Sequence, residues 1–262
     1  MTVIGLSVVA AVLAVPGTAS AATTVGYDVS YPQCGTALPQ DRAFGIVGVN
    51  AGLSTRANPC LADQLAWAAQ SSGVVAAQPK AQLYLNTANP GEVRNQITTW
   101  PSSGATPYGS CDGANSQACS WQYGWERART SVASFFTPAA QTAGVDSQPG
   151  DYVWWLDVET VNTWQSGSTA ALARNRATLE GMTAYLLSRG GGVGLYSTAQ
   201  QWGQIVGNVP STSNLAGRTS WLAGASSLTG ARGNCQKAPL TPRGRVGLAQ
   251  YVQSGLDRNL SC

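Results

Sequence analysis

The chain has 262 residues, of which 44% are hydrophobic and 10% charged, with a formal net charge of +3. That is enough chain for one large barrel or two small domains, and it is too apolar to stay disordered. So small a charge fits a mildly favourable encounter with an anionic surface and excludes the strongly basic footprint of a nucleic-acid binder.

Residues 1–21, MTVIGLSVVAAVLAVPGTASA, read as a secretory signal. An apolar run from Val3 to Val15 meets the helix breaker Pro16, and Ala19-Ser20-Ala21 supplies a small-x-small cleavage site, although no basic n-region precedes the run. The run is too short to span a bilayer, and no later stretch is long enough. The expected mature protein therefore begins near Ala22, is secreted, and makes no stable membrane insertion. The cysteines agree: Cys34, Cys60, Cys111, Cys119, Cys235 and Cys262 form an even set suited to an oxidising compartment. Many pairings are possible on paper. Loop closure and local geometry favour Cys34–Cys60, Cys111–Cys119 and Cys235–Cys262. No CxxC spacing and no histidine occur, so no zinc site is expected.

Strand-like and helix-like stretches alternate along the chain. VGYDVSY (25–31), FGIVGVN (44–50), AQLYLNT (81–87) and DYVWWLDVE (151–159) read as strands. PCLADQLAWAAQSSG (59–73), WERARTSVASFFTPAA (125–140) and the long stretch 169–191 have helical periodicity, the last stopped by glycines. GVGLYST (192–198), TSWLAGA (219–225) and VGLAQYV (246–252) follow as strands with little helix between them. Strands separated by helices predict a parallel α/β sheet. The Gly/Ser-rich segment 101–125 breaks the alternation and carries Tyr108, Trp121, Tyr123 and Trp125. It reads as an ordered wall beside the site or as a decorated surface loop.

With no histidine, Ser-His-Asp and Cys-His catalysis are excluded and carboxylates become the available acid–base groups. In DYVWWLDVE, strand alternation puts Val153, Trp155, Asp157 and Glu159 on one face. Two carboxyls that close repel, so at least one is expected to hold its proton. Asp28 ends the first predicted strand and Asp257 ends the last. In a barrel these positions converge on one mouth, at the C-terminal ends of the strands. Trp155, Trp164, Tyr196, Trp202, Trp221 and Tyr251 lie at or just beyond strand ends, where aromatic faces suit sugar rings. Trp154 and Trp67 read as core, and Trp155 and Tyr251 as part of the site.

Several of these stretches resemble the family 25 glycoside hydrolases, secreted lysozyme-type muramidases. GYDVSYPQ (26–33) is similar to that family's opening strand and WLDVE (155–159) to its Asp-Val-Glu strand. GLYST (194–198), SWLAGA (220–225) and AQYVQSGLDRN (249–259) resemble its later strands, in the family's order. The resemblance implies a modified (β/α) barrel over residues 24–262, with about five β/α units followed by strands with little helix. It implies cleavage of the β-1,4 bond after N-acetylmuramic acid. Glu159 would protonate the leaving oxygen, Asp157 would orient the substrate N-acetyl group, and Asp28 and Asp257 would complete the acidic cluster. Gln33, Asn86, Trp155, Tyr196, Trp221, Gln250 and Tyr251 would contact a cell-wall polysaccharide. No cofactor or metal is implied, and a monomer is expected. Two segments depart from the family pattern: VNAGLS (49–54) stands where a Lys-Ala-[ST]-Glu-Gly run is usual, and Asn86 stands where a histidine is usual. The gap from Tyr251 to Asp257 is also short. A hydrolase for another wall polysaccharide, or a barrel that binds glycan without cleaving it, is the alternative.

Overall fold

The computed structural model describes Met1 and residues 23–262, so the expected leader falls, Met1 apart, outside the described residues. Eight strands close a barrel in sequence order: β1 Gly26–Val29, β2 Gly45–Gly48, β3 Ala81–Asn86, β4 Val153–Asp157, β5 Gly192–Ser197, β6 Thr219–Ala225, β7 Val246–Gln253 and β8 Leu256–Ser261. β1 to β7 run parallel. β8 runs antiparallel to both β7 and β1 and closes the ring. Around it lie α1 Leu61–Ala69, α2 Gln117–Thr130, α3 Thr137–Ala143, α4 Thr169–Ser188, α5 Ala199–Ile205 and α6 Leu228–Asn234. None of the described helices is long and apolar enough to cross a membrane.

Parallel strands covered on both faces need apolar residues on both, which is why GIVG in β2 is buried throughout. In β4 the outward Trp154 and Leu156 pack in the layer between strands and helices, as expected for Trp154. The inward Trp155 joins Phe44, Ile46, Tyr196, Trp221 and Leu248 in the barrel interior. Rings of this size fit because glycine stands opposite them. A Cβ at Gly26 would lie 2.1 Å from the Phe44 ring, and one at Gly194 2.2 Å from the Trp155 ring. The outer layer uses the same device. α2 and α4 approach so closely that a Cβ at Gly124 would sit 1.9 Å from the Thr178 carbonyl oxygen, and one at Gly181 2.0 Å from that of Trp121. The side chains of Ser116, Ser168, Thr198 and Ser227 cap the starts of α2, α4, α5 and α6, each cap contributing about 1 kcal/mol.

Three features differ from the sequence-based expectation. The helix expected from 125 begins at Gln117, where Ser116 Oγ accepts from the Cys119 amide at 3.1 Å. β8 is a strand in its own right, where the sequence pattern suggests only the end of the preceding strand and a tail. The segment 101–125 does not wall the site. It forms a ribbon, Gly104–Thr106 against Gly109–Cys111, and then enters α2. The ribbon packs on α2, and the Tyr108 hydroxyl donates to the Glu180 carboxylate on α4. The disulfides are the three expected, Cys34–Cys60, Cys111–Cys119 and Cys235–Cys262. The first ties the loop after β1 to the start of α1, and the last ties the end of α6 to the final residue.

Candidate active site

A cavity of about 370 Å³ opens at the C-terminal ends of the parallel strands, and Asp28, Asp157, Glu159 and Asp257 all line it. Asp28 comes from β1 and Asp157 is the last residue of β4. Asp257 arrives by a different route from the expected one. β7 and β8 are joined by the two-residue turn Ser254-Gly255, with φ of 56° and 72°. Positive φ at both central positions is the hairpin geometry that matches strand twist, and glycine supplies it without strain. The chain therefore reverses at the mouth, and Asp257 sits near the start of the descending β8, paired with Val252 of β7. The dipeptide Ser-Gly between two extended runs was the signal for this strand.

Beyond β4 the backbone has no neighbouring ladder for its carbonyls, and side chains take them instead. The Thr87 hydroxyl donates to the Asp157 carbonyl. Ser197 Oγ donates to that of Val158 at 2.7 Å, and the Trp164 indole to that of Glu159 at 3.0 Å. The Val158 amide returns a bond to the Tyr196 carbonyl at 2.9 Å, and the Thr160 amide donates to Gln201 Oε1 at 2.6 Å. Partners from after β3, from β5 and from α5 thus fix the Asp-Val-Glu segment.

Burial raises every acid in the mouth. Asp28 is pushed up to about 7, first by burial and then by the charge of Asp257. Bonds donated by Asn259 Nδ2 at 2.7 Å and Gln250 Nε2 at 3.1 and 3.2 Å oppose that rise. Asp157 lies well above the carboxylate range, by burial first, then by the charges of Glu159 and Asp28. Glu159 is raised by burial, with a hydrogen bond from Asp157 acting the other way, and Asp257 is raised by burial. With both carboxyls raised and each opposing the other's charge, ionisation of both at once is disfavoured. A neutral acid beside an ionisable partner is the arrangement that acid–base catalysis requires. Tyr84 and Tyr196 are raised well above their ordinary value by burial, so both remain neutral hydrogen-bond donors.

The other expected contact residues divide. Gln33, Tyr196, Trp221 and Gln250 line the cavity. Tyr196 Oη donates to Gln250 Oε1 at 2.9 Å, which turns the Gln250 amine towards Asp28. Asn86 lines a second lobe of about 430 Å³, shared at Asp157, Glu159, Tyr84, Ser30 and Pro32. Its Nδ2 donates to the Gly52 carbonyl at 2.6 Å. Two residues do not belong. Trp155 is buried below the floor, its indole bound to Gln82 Oε1 at 2.8 Å. Tyr251 faces the opposite way from Gln250, as alternation dictates, and is buried against α6 with Ala231 and Ala249. Trp202 packs in the outer core, and Trp67 is core as expected. Tyr84 was overlooked, although it shares a face with Asn86 in AQLYLNT. Gly48 makes room for it, since a Cβ there would lie 2.5 Å from its ring. Among the described residues, no group of three or more His, Cys, Asp and Glu side chains is placed to hold a metal ion. A larger groove of about 1060 Å³ between α4, α5 and residues 238–243 has no acidic residue in its lining.

No protein-family model matches the chain, and no curated protein matches it in sequence. Solved structures share its fold. A muramidase from Trichobolus zukalii is 16% identical, covering 92% of this chain and 94% of that chain, with a TM-score of 0.52. A bacterial lysozyme from Streptomyces coelicolor is also 16% identical, covering 91% of each chain, with a TM-score of 0.50. The likeness spans almost the whole barrel. It agrees, at the level of the fold, with the resemblance drawn from the strand-end motifs.

Proposed function

We propose that this chain is a secreted glycoside hydrolase that cleaves the β-1,4 bond following N-acetylmuramic acid in peptidoglycan. The observation that carries the reading is the convergence of Asp28, Asp157, Glu159 and Asp257 on one barrel mouth, where burial raises all four carboxyls. The fold held in common with a muramidase and a lysozyme supports it, and so does the leader-like sequence followed by three disulfides.

In this mechanism the bound acetamido N–H favours the ionised form of Asp157 and leaves the one proton of the pair on Glu159, which gives it to the glycosidic oxygen as the bond to the anomeric carbon breaks. The acetamido oxygen of the same sugar closes on that carbon, with Asp157 accepting from the acetamido N–H and orienting it. Water then opens the cyclic intermediate, and the Glu159 carboxylate takes its proton, which restores the starting state. Tyr196 lies over the buried Trp221 at the floor of the cleft, while Gln250, Asp28 and Asp257 bond the hydroxyls of the sugar.

The test is incubation of the purified protein with peptidoglycan, following turbidity and new muramic-acid reducing ends, with chitin and other wall polysaccharides in parallel. Glu159→Gln is expected to lower the rate about 10²–10⁴-fold while circular dichroism stays unchanged. Binding to glycan without release of product by the wild type would make the barrel a binding module. Full activity in Glu159→Gln would remove that residue from the mechanism.

A further inference from the structure

The two lobes of the mouth differ in charge. The lobe over Tyr196, Trp221 and Gln250 holds Asp28 and Asp257. The lobe over Asn50 and Asn86 holds Arg56 and no acid of its own. Both reach Asp157 and Glu159, so the reacting bond lies where they meet.

Arg56 is the one basic side chain lining either lobe. It is exposed, in a short ribbon after β2 that pairs Asn50–Ala51 with Arg56–Ala57. Its guanidinium folds over Gly52, with Nε and Nη2 3.2 and 3.3 Å from where a Cβ would stand. The ribbon's turn is anchored from outside: Tyr123 Oη donates to the Leu53 carbonyl at 2.6 Å, and the Asn86 amide nitrogen to that of Gly52. Among the described residues the ion pair formed is Arg129–Glu126, so no acid of the mouth neutralises Arg56. A held, unpaired guanidinium at the rim of an acidic cleft is suited to a planar anion brought by the ligand.

We propose that Arg56 recognises a carboxylate on the sugar strand, so that the Asn50–Asn86 lobe receives the anionic arm of the muramoyl unit. This rests on the muramidase reading and names the part of the substrate that the second lobe takes. The opposite placement would set that arm against Asp28 and Asp257, where like charges repel. With the sugar ring at the junction of the lobes, the arm can carry the lactyl carboxylate itself or the first carboxylate of an attached peptide.

The experiment compares Arg56→Gln and Arg56→Lys with the wild type on three soluble probes. These are peptidoglycan strands stripped of peptide, strands bearing their stem peptides, and neutral chitohexaose. Dissociation constants are measured on the Glu159→Gln background, and initial rates on the active chain. Arg56→Gln is expected to raise Kd and KM for carboxylate-bearing strands roughly three- to tenfold, with kcat nearly unchanged and chitohexaose binding unaltered. Arg56→Lys is expected to recover part of the loss, and added salt to shrink it. A loss on peptide-free strands identifies the lactyl carboxylate, and a loss confined to peptide-bearing strands identifies the peptide. Equal weakening on neutral and charged probes, or none on either charged probe, overturns the proposal. Binding without any new reducing ends would sink the hydrolase reading alone, because the Kd comparison still decides Arg56. Absence of binding to all three probes would sink both.

Discussion

Replacing Asp28 with Asn isolates the electrostatic cost of the mouth. Burial and the Asp257 charge lift Asp28 from 3.8 to about 7, which corresponds to about 4 kcal/mol at about 1.4 kcal/mol per pH unit. Asp28 still reaches solvent through the open mouth, and that screening brings the expected effect to about 2 kcal/mol. A carboxyl whose folded pKa is raised binds its proton more tightly in the folded chain. Its contribution is therefore fully present below the unfolded value of 3.8 and is lost as pH rises through about 7. Asn has no such proton to lose. Relative to the wild type, Asp28→Asn should gain about 2 kcal/mol in unfolding free energy between about pH 4 and pH 8.5. The bonds from Gln250 and Asn259 favour the ionised form and are already contained in the value of about 7, so the slope of the difference with pH is the informative quantity. Urea unfolding followed by tryptophan fluorescence at several pH values measures it. Two parallel stability curves, with a constant offset, would refute the raised pKa and the acid cluster built on it.

Two further substitutions test the packing. Gly181→Ala forces a methyl group into the Trp121 carbonyl, so α2 and α4 must separate, and a loss of about 1–3 kcal/mol is expected in the same urea assay. Tyr251→Ala should cost about 3–5 kcal/mol because the ring is core against α6, while the affinity of the folded protein for glycan stays unchanged. A fall in affinity would return Tyr251 to the site.

Seven of the eight strands were legible because a parallel barrel strand is a short buried run, and GIVG or VWWLD leaves little ambiguity. β8 was not. Its sequence, LDRNLS, mixes polar residues on both faces, since Asp257 and Asn259 point to a polar mouth. The start of α2 was hidden because Gln117 to Gly124 lies on glycine and small residues that pack closely without an apolar stripe. That Asp28, Asp157, Glu159 and Asp257 share one mouth was legible from strand-end placement, which does not depend on knowing the loops. Tyr251 was misplaced by proximity in sequence to Asp257, where alternation from Gln250 already pointed it outward. The side chains that hold the carbonyls of Asp157, Val158 and Glu159 come from three other segments, and no local pattern announces such contacts.

Apart from the short gap before Asp257, the departures from the family pattern lie on one side of the mouth. The matched stretches supply Asp28 and Gln33, Tyr196, Trp221, Gln250 and Asp257, all in the lobe over the barrel interior. The altered stretches supply Asn50, Ala51, Gly52, Leu53 and Asn86, all in the other lobe, beside Arg56. Asp157 and Glu159 border both. On the proposed function, a change in that lobe leaves Asp157, Glu159 and their supports in place and alters what lies on one side of the bond to be cleaved. Selectivity can then shift without loss of the acid chemistry, because uniform binding on that side changes KM more than kcat. If the proposed hydrolysis holds, changes in this lobe should appear first in which substituted strands are cleaved, and only weakly in the rate on an unsubstituted strand.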